Sequence, residues 1–413
     1  MEMWRRRLLV VLINILVFAL LAEVGGLTLH FWRTGRFFYT HRPTYPLIEE
    51  TRRGELTGDA LHPYFGPIHR PGVRPESNNV GFGSPQAFPF RRSNERQFIV
   101  GVFGGSVARY FCDRGMPRFA DVLRHDRRFA DRDIVPLCFS HEGYKQPQQL
   151  LVLSYFLSLG QELDLVINID GFNEVALGSY NYDRGRDVSM PSPIHLDPLI
   201  GLIDRSTMTP AMVTSLAEIE RAKQTLNALA RRIERNRSAA VHLVLERYYA
   251  FTQGGYVSEL ARFAALPPNA PAGSLVLITP PVKPRDAATL YDDIAANWAS
   301  ASLLMHDVLA ARDVRYVHVL QPNQYFTRRT FAAQEARVAL NPATPFKPPV
   351  EKGYPALVRA GSTLAAKERF IDATTVFDAE PGEVYEDDCC HYTQLGNERL
   401  AERIASVFLG SGP

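Results

Sequence analysis

Phe98-Ile99-Val100-Gly101-Val102-Phe103-Gly104-Gly105-Ser106 decides the fold of this 413-residue chain. Its first six residues are apolar without alternation, the pattern of a strand buried on both faces, as in a parallel sheet covered by helices. Similar short apolar runs recur at residues 134–139, 163–169, 274–279 and 314–320. Between and after them, residues 117–129, 146–159, 212–236, 287–311 and 394–409 carry helical signals. Alternation of strand and helix predicts a three-layer α/β/α sandwich with a mostly parallel sheet over residues 97–413. Residues 178–271 break the alternation: a Pro-rich loop with Pro191, Pro193 and Pro198 precedes a long amphipathic helix and a second one. They read as an insertion on the rim of the sandwich, a candidate lid or acceptor surface.

Upstream of the decisive stretch, Arg5, Arg6 and Arg7 precede an apolar segment over residues 8–31. A membrane-spanning helix needs about 20 such residues. Trp4 and Trp32 bracket the segment as interfacial aromatics do, and the leading arginines place residues 1–7 in the cytoplasm. Glu23 is the weak point of this span, though it lies toward the outer end. An uncleaved anchor is expected; a signal peptide cut after Ala22 is the alternative, disfavoured by Leu20 at the small-residue position. Both of these readings place the remainder outside the cytoplasm; a buried helix of a soluble protein is the third reading of the segment. Residues 32–96, rich in Pro, Arg, Gly and aromatics, read as a stalk followed by short strands or turns packed on the domain.

The composition is that of a globular protein, with 46% hydrophobic and 22% charged residues. A net charge of +2 without long runs of one sign excludes a nucleic-acid footprint. Cys112, Cys138, Cys389 and Cys390 fit neither a zinc motif nor a Cys-x-x-Cys pair. Outside the cytoplasm they allow one or two disulfides whose pairing the sequence leaves open, except that adjacent Cys389 and Cys390 are not expected to bond to each other, because their geometry would be strained. No metal spacing and no phosphate-cradling loop is present, so neither metal nor cofactor is expected.

A serine after a buried strand and two glycines is well placed for a nucleophile, because ligands of open α/β sheets bind at the carboxyl ends of strands. The glycines allow a tight turn, and the following helix N-terminus offers free N–H groups to an oxyanion. Near the other end of the chain stands Asp388-Cys389-Cys390-His391. An Asp three residues before a His can bond one ring nitrogen and leave the other free to take a serine proton. Asp387 is adjacent, but the spacing favours Asp388.

Four segments then carry a resemblance. Phe103-Gly104-Gly105-Ser106-Val107-Ala108, His141-Glu142-Gly143-Tyr144, Asp170-Gly171-Phe172-Asn173-Glu174 and Asp388-Cys389-Cys390-His391 resemble, in order, the four blocks of the SGNH (GDSL-like) hydrolases. The likeness covers residues 97–413 apart from the insertion. It implies a flavodoxin-like sandwich, Ser106, Asp388 and His391 as catalytic residues, and an oxyanion hole made by Ser106, Gly143 and Asn173. Two departures stand out: Gly105 where the family usually has Asp, and Glu174 at the end of the third block where it has Asp. Leu320-Gln321-Pro322-Asn323-Gln324-Tyr325 resembles a segment of bacterial members with an N-terminal anchor, without an assignable role. An α/β-hydrolase is disfavoured because Ala108 replaces the last glycine of Gly-x-Ser-x-Gly.

The expected function is serine-dependent ester hydrolysis through an acyl-enzyme, by a bacterial protein anchored once in the inner membrane with its domain in the periplasm. Its expected partners are an acyl ester substrate of the cell-envelope glycan or lipid class and, through the N-terminal helix, the membrane itself. Transfer of an acyl group such as acetyl to a surface polysaccharide is the alternative chemistry. An inactive scaffold or glycan-binding module is the alternative of another class.

Overall fold

The computed structural model describes residues 2–40, 45, 48, 58–72, 77–203, 208–266, 285–367 and 369–410. The chain forms two compact units, Met1–Leu56 with Asp204–Leu275, and Thr57–Ile203 with Val276–Pro413. In chain order, α1 (Glu2–Thr34) belongs to the first unit. The second then opens with a hairpin, β1 (Asp59–His62) and β2 (Gly66–His69), and continues through β3 (Gln97–Gly104), α2 (Ser106–Arg114), α3 (Met116–Arg124), β4 (Asp133–Ser140), α4 (Gln148–Ser158), β5 (Leu165–Asp170), α5 (Phe172–Asp183) and α6 (Pro193–Ile203). After α7 (Pro210–Arg235) and α8 (Ala239–Ala265) of the first unit come α9 (Ala287–Ala310), β6 (Arg315–Leu320), α10 (Ala333–Ala339), α11 (Lys347–Leu364), β7 (Arg369–Asp372) and α12 (Gln394–Leu409).

The main sheet has the order β4-β3-β5-β6-β7, and every neighbouring pair is parallel. The period of two places successive β3 side chains on opposite faces. Phe98, Val100 and Val102 enter one core with Phe111 of α2, Phe119 and Leu123 of α3, and Leu400 and Ile404 of α12. Ile99 and Phe103 enter another with Val152 and Phe156 of α4 and Met305 and Leu309 of α9. Helices thus cover both faces, as the uninterrupted apolar strand requires.

The second core is strongly aromatic, and part of it comes from residues read in the sequence as stalk. Phe65, Ile68, Phe82 and Phe88 join Phe103, Phe139 and Phe156 there. The 32–96 segment is therefore divided: it leaves the first unit at Leu56, and from Thr57 it belongs to the sandwich unit. The insertion also begins later than residue 178. Gly178 and Ser179 lie within α5, whose buried face continues to Asn181, and the Pro-rich stretch forms α6, which starts at Pro193. Proline suits a first helical position because no intrahelical partner awaits its missing N–H. Residues Asp204–Leu275 group with the N-terminal segment. The sequence reading missed α5, α6 and α10, together with α11, masked by Pro348, Pro349 and Pro355, and the four-residue edge strand β7. The strand expected at 274–279 lies outside the described residues.

In the first unit, α1 carries a Trp4–Thr34 span with mean hydropathy 2.6 in its most apolar window. Among the described residues it is the one helix long and apolar enough to cross a membrane. Glu23 has a specific use. Its carboxylate accepts from the N–H groups of Ala239 at 2.7 Å and Ala240 at 3.3 Å, and from the Ser238 hydroxyl. It therefore supplies acceptors to the first turn of α8, whose N–H groups have no intrahelical partners. Gly26 allows the close approach: a Cβ there would lie 2.6 Å from the Ala240 nitrogen.

At the end of β3, Gly104 has φ +140°, and a Cβ would lie 2.1 Å from the Ile169 carbonyl oxygen of β5. Gly104→Ala should destabilise the chain by about 1–3 kcal/mol from backbone strain alone. Urea denaturation of the detergent-solubilised chain, followed by circular dichroism, checks this; an unchanged midpoint would show that the strand end tolerates a side chain.

Candidate active site

Counted from β3, the sheet order is 2-1-3-4-5. Connections leave β3 and β5 in opposite directions across the sheet, which opens a crevice beyond their carboxyl ends. Ser106, at the start of α2, follows β3, and Asn173, in the first turn of α5, follows β5.

His391 reaches the same place from the far end of the chain. Its Nε2 lies 2.8 Å from Ser106 Oγ. Its Nδ1 bonds Asp387 Oδ2, not Asp388. This corrects the residue expected from sequence, and the turn explains why. Asp387 Oδ1 accepts from the N–H groups of Cys389 at 2.9 Å, Cys390 at 3.0 Å and His391 at 3.2 Å. With one oxygen holding the backbone, the other is aimed at the ring four residues on. Asp388 takes a different partner: its carboxylate accepts from the Asn341 side-chain amide at 2.7 Å. Burial alone would raise the Asp387 carboxyl, but the bond to His391, that ring's charge and the backbone N–H groups outweigh it and hold the group at about 2. The carboxylate is thus ionised at neutral pH and fixes which ring nitrogen faces Ser106.

The 320–325 segment, without a role in the sequence, grips this turn. The Asn323 amide donates to the Cys389 carbonyl at 3.1 Å, the Gln324 amide to the Asp387 carbonyl at 3.0 Å, and the Tyr325 hydroxyl to the Asp388 carbonyl at 2.9 Å. Tyr392 OH donates back to the Pro322 carbonyl. Three consecutive side chains after β6 therefore hold three consecutive carbonyls of the acid–histidine turn. On its open side, the His391 ring packs against Tyr110 with centroids 4.8 Å apart.

Both departures from the resembled pattern have a steric or bonding reason. A Cβ at Gly105 would lie 2.1 Å from Asn173 Nδ2, so a side chain before Ser106 would displace the Asn173 amide from its place. The Asn173 amide donates one hydrogen to the Tyr144 carbonyl at 2.8 Å and has a second to offer. Glu174 is longer than the usual Asp and bridges two loops, accepting from the Gly171 N–H at 2.7 Å and the Gln146 N–H at 2.9 Å. Burial and the neighbouring Asp170 push its carboxyl up to about 7, against those two donors. Gly143 lies in the His141–Tyr144 turn with φ +77°, and a Cβ would meet His195 Nδ1 at 2.4 Å.

Two of the other histidines have clear structural partners. His62 stacks on Phe65 with centroids 3.6 Å apart, and His318 sits between Ser302 and Asp170. Beside the Gly143 turn, His69 faces carboxylates on both ring nitrogens, Asp59 at 2.6 Å and Glu142 at 3.2 Å, while Glu142 also takes His141 at 2.9 Å. Burial alone would raise Glu142, yet the two imidazoles hold it well below the usual carboxylate range. Asp59, His69 and His141 bring three metal-capable atoms within 4.8 Å of one another, as do Cys389, Cys390 and His391. Neither group has a recognisable spacing, since the first spans three separate segments and the second three successive residues. The cysteines divide into a Cys112–Cys138 disulfide and free Cys389 and Cys390.

No protein-family model and no curated protein matches this chain. Among solved structures, a candidate acylhydrolase from Bacteroides fragilis is similar at 9% identity and TM-score 0.34, covering 78% of this chain and 90% of its own. A lipase from a goat rumen metagenome is similar at 9% and 0.33, covering 75% and 97%. A GDSL-like lipase from Bacteroides thetaiotaomicron is similar at 10% and 0.32, covering 78% and 91%. Likenesses this distant add nothing to the site, whose reading rests on the geometry above.

Asn323 is fully buried and also accepts from the Tyr325 N–H at 3.0 Å. Asn323→Ala would leave that N–H and the Cys389 carbonyl without their partner, at about 1–3 kcal/mol for each group that stays buried. The expected result is a lower urea midpoint with unchanged secondary structure; an unchanged midpoint would mean the two groups find other partners.

Proposed function

We propose that this chain is a serine esterase of the SGNH type, acting through an acyl-enzyme. The observation that carries the reading is the Ser106–His391–Asp387 array at the crevice between the ends of β3 and β5. Ser106 Oγ attacks the ester carbonyl carbon as its proton passes to His391 Nε2. Asp387 stabilises the imidazolium and keeps the ring oriented. The carbonyl oxygen, now an anion, is met by the Ser106 N–H at the start of α2, the Gly143 N–H and the second hydrogen of the Asn173 amide. Each such donor supplies about 2.7–4 kcal/mol of transition-state stabilisation. His391 then protonates the leaving alcohol, and water activated by the same ring releases the acid.

The single-pass anchor is part of the proposal. The apolar α1 supports it, and the Cys112–Cys138 disulfide supports a domain outside the cytoplasm. With the leading arginines inside, α1 tethers the esterase to the inner membrane facing the periplasm, where envelope glycans and lipids supply acyl esters. An alcohol replacing water in the second step would make the same enzyme a transferase. Incubation with an acyl donor, with and without a glycan, separates these outcomes by free acid against acylated glycan.

A fluorophosphonate probe should label the parent and not Ser106→Ala. Asp387→Asn should lower kcat by about 10³–10⁴-fold by leaving His391 in the wrong tautomer, whereas Asp388→Asn should stay within about tenfold of the parent, since its carboxylate does not touch the ring. A folded parent that takes no label would end the esterase reading. Equal losses in the two Asp variants would end the assignment of Asp387.

A further inference from the structure

Cys389 and Cys390 stand between Asp387 and His391, and ester hydrolysis gives their thiols no task. Both are free, Cys389 partly exposed and Cys390 buried, with sulfurs 3.0 Å apart. The other two cysteines are joined as a disulfide, a bond that forms where thiols are oxidised. A reducible pair thus sits inside the turn that holds the histidine, in a chain that already carries one oxidised pair.

We propose that Cys389 and Cys390 are an oxidisable pair whose closure into a disulfide reversibly switches the Ser106 site off. The proposal rests on the esterase reading and names a regulation of that same site. The peptide between the two residues is the pivot. Its carbonyl, that of Cys389, is held by Asn323; its N–H, that of Cys390, is held by Asp387. Neighbouring Cα atoms are about 3.8 Å apart across a trans peptide, whereas a relaxed disulfide needs about 4.4–6.8 Å. The chain fixes that spacing, so closing the ring strains the peptide between the two residues and loosens the grips on it, and His391 is the next residue along. The same strain makes the closed form easy to reduce, so the switch can be reset.

The chemistry balances with a low-molecular-weight disulfide as oxidant. The partly exposed Cys389 attacks as thiolate, being the more accessible of the two, since Cys390 is buried and burial pushes its thiol up. A mixed disulfide forms on Cys389 as one external thiolate leaves. The Cys390 sulfur then attacks Cys389 Sγ and expels the second external thiolate. One external S–S bond is reduced to two thiols, which take up the two cysteine protons, and one internal S–S bond forms.

The test uses the full chain in detergent, treated with oxidised glutathione and then with dithiothreitol. Ester turnover, fluorophosphonate labelling and the mass of the peptide spanning 389–390 are read at each stage. The parent should lose at least tenfold in turnover and labelling together with about 2 Da from that peptide, and regain both on reduction. Cys389→Ser, compared with its own untreated state, should not respond to the oxidant. A parent that keeps its turnover with the 2 Da loss, stops at a glutathione adduct, or stays unmodified overturns the switch. If instead the reduced parent neither turns over ester nor labels at Ser106, it is the esterase reading that fails, whatever the mass change.

Discussion

One carboxylate organises the candidate site. Asp387 spends one oxygen on three successive backbone N–H groups and the other on the His391 ring. A turn held this way has few other conformations, so the ring arrives at Ser106 already oriented instead of being selected from many rotamers. That matters because catalysis needs a near-attack geometry in place before the substrate arrives. The three side chains after β6 complete the constraint by taking carbonyls of the same turn. Donors and acceptors of the turn are thus held from opposite sides, and the sheet, through β6, fixes the place of a loop near the chain's other end.

How much of this was legible depends on whether a feature is local. The apolar runs at 98–103, 134–139, 163–169 and 314–320 read as parallel strands because burial on both faces removes polar alternation. They form β3, β4, β5 and β6. Strand β7 was not legible, since an edge strand of four residues with Arg369 and Asp372 at its ends carries little apolar signal. Proline hid α11, although Pro348 and Pro349 fall in its first turn, where the missing N–H costs nothing. Ser106 could be singled out because a strand end followed by glycines marks itself, whereas Gly143 and Asn173 were reached only through the family resemblance. Spacing chose Asp388 over Asp387, and the structure reverses that choice. It turns on which carboxylate the backbone captures, and spacing alone does not encode that. The role of Asn323, Gln324 and Tyr325 was equally hidden, because their partners lie more than sixty residues away.

The first unit shows the same limit from another direction. A carboxylate in an apolar helix reads as a cost, and Glu23 weakened the membrane-span argument. In the structure its acceptors meet the N-terminus of α8, where the first turn presents N–H groups and the positive end of the helix dipole. Tyr39 donates to it as well, at 2.8 Å. An acidic residue near the end of a spanning segment can therefore be a docking point for a distant helix, and only the fold identifies the helix.

The second Asp–His pair in the sandwich sharpens the assignment of the first. Asp170 ends β5 directly before the Gly171 turn and accepts from His318 Nε2 at 2.8 Å and Trp298 Nε1 at 2.6 Å; its other oxygen accepts from Asn168 at 2.7 Å. By bond geometry alone this pair resembles a catalytic acid and base as closely as Asp387 and His391 do. Access separates them. The side chains of His318 and Asp170 are 0% and 1% exposed, while those of His391 and Asp387 are 17% and 36% exposed. His318 spends its second ring nitrogen on Ser302, itself fully buried, and so has no route to a substrate. A buried charge is tolerated when hydrogen bonds satisfy it, and removing a partner from such a site costs about 3–5 kcal/mol. The Asp170 network is therefore best understood as the support that fixes the end of β5, and with it the placement of Asn173. The more accessible pair is the candidate for chemistry, and the buried pair serves the frame.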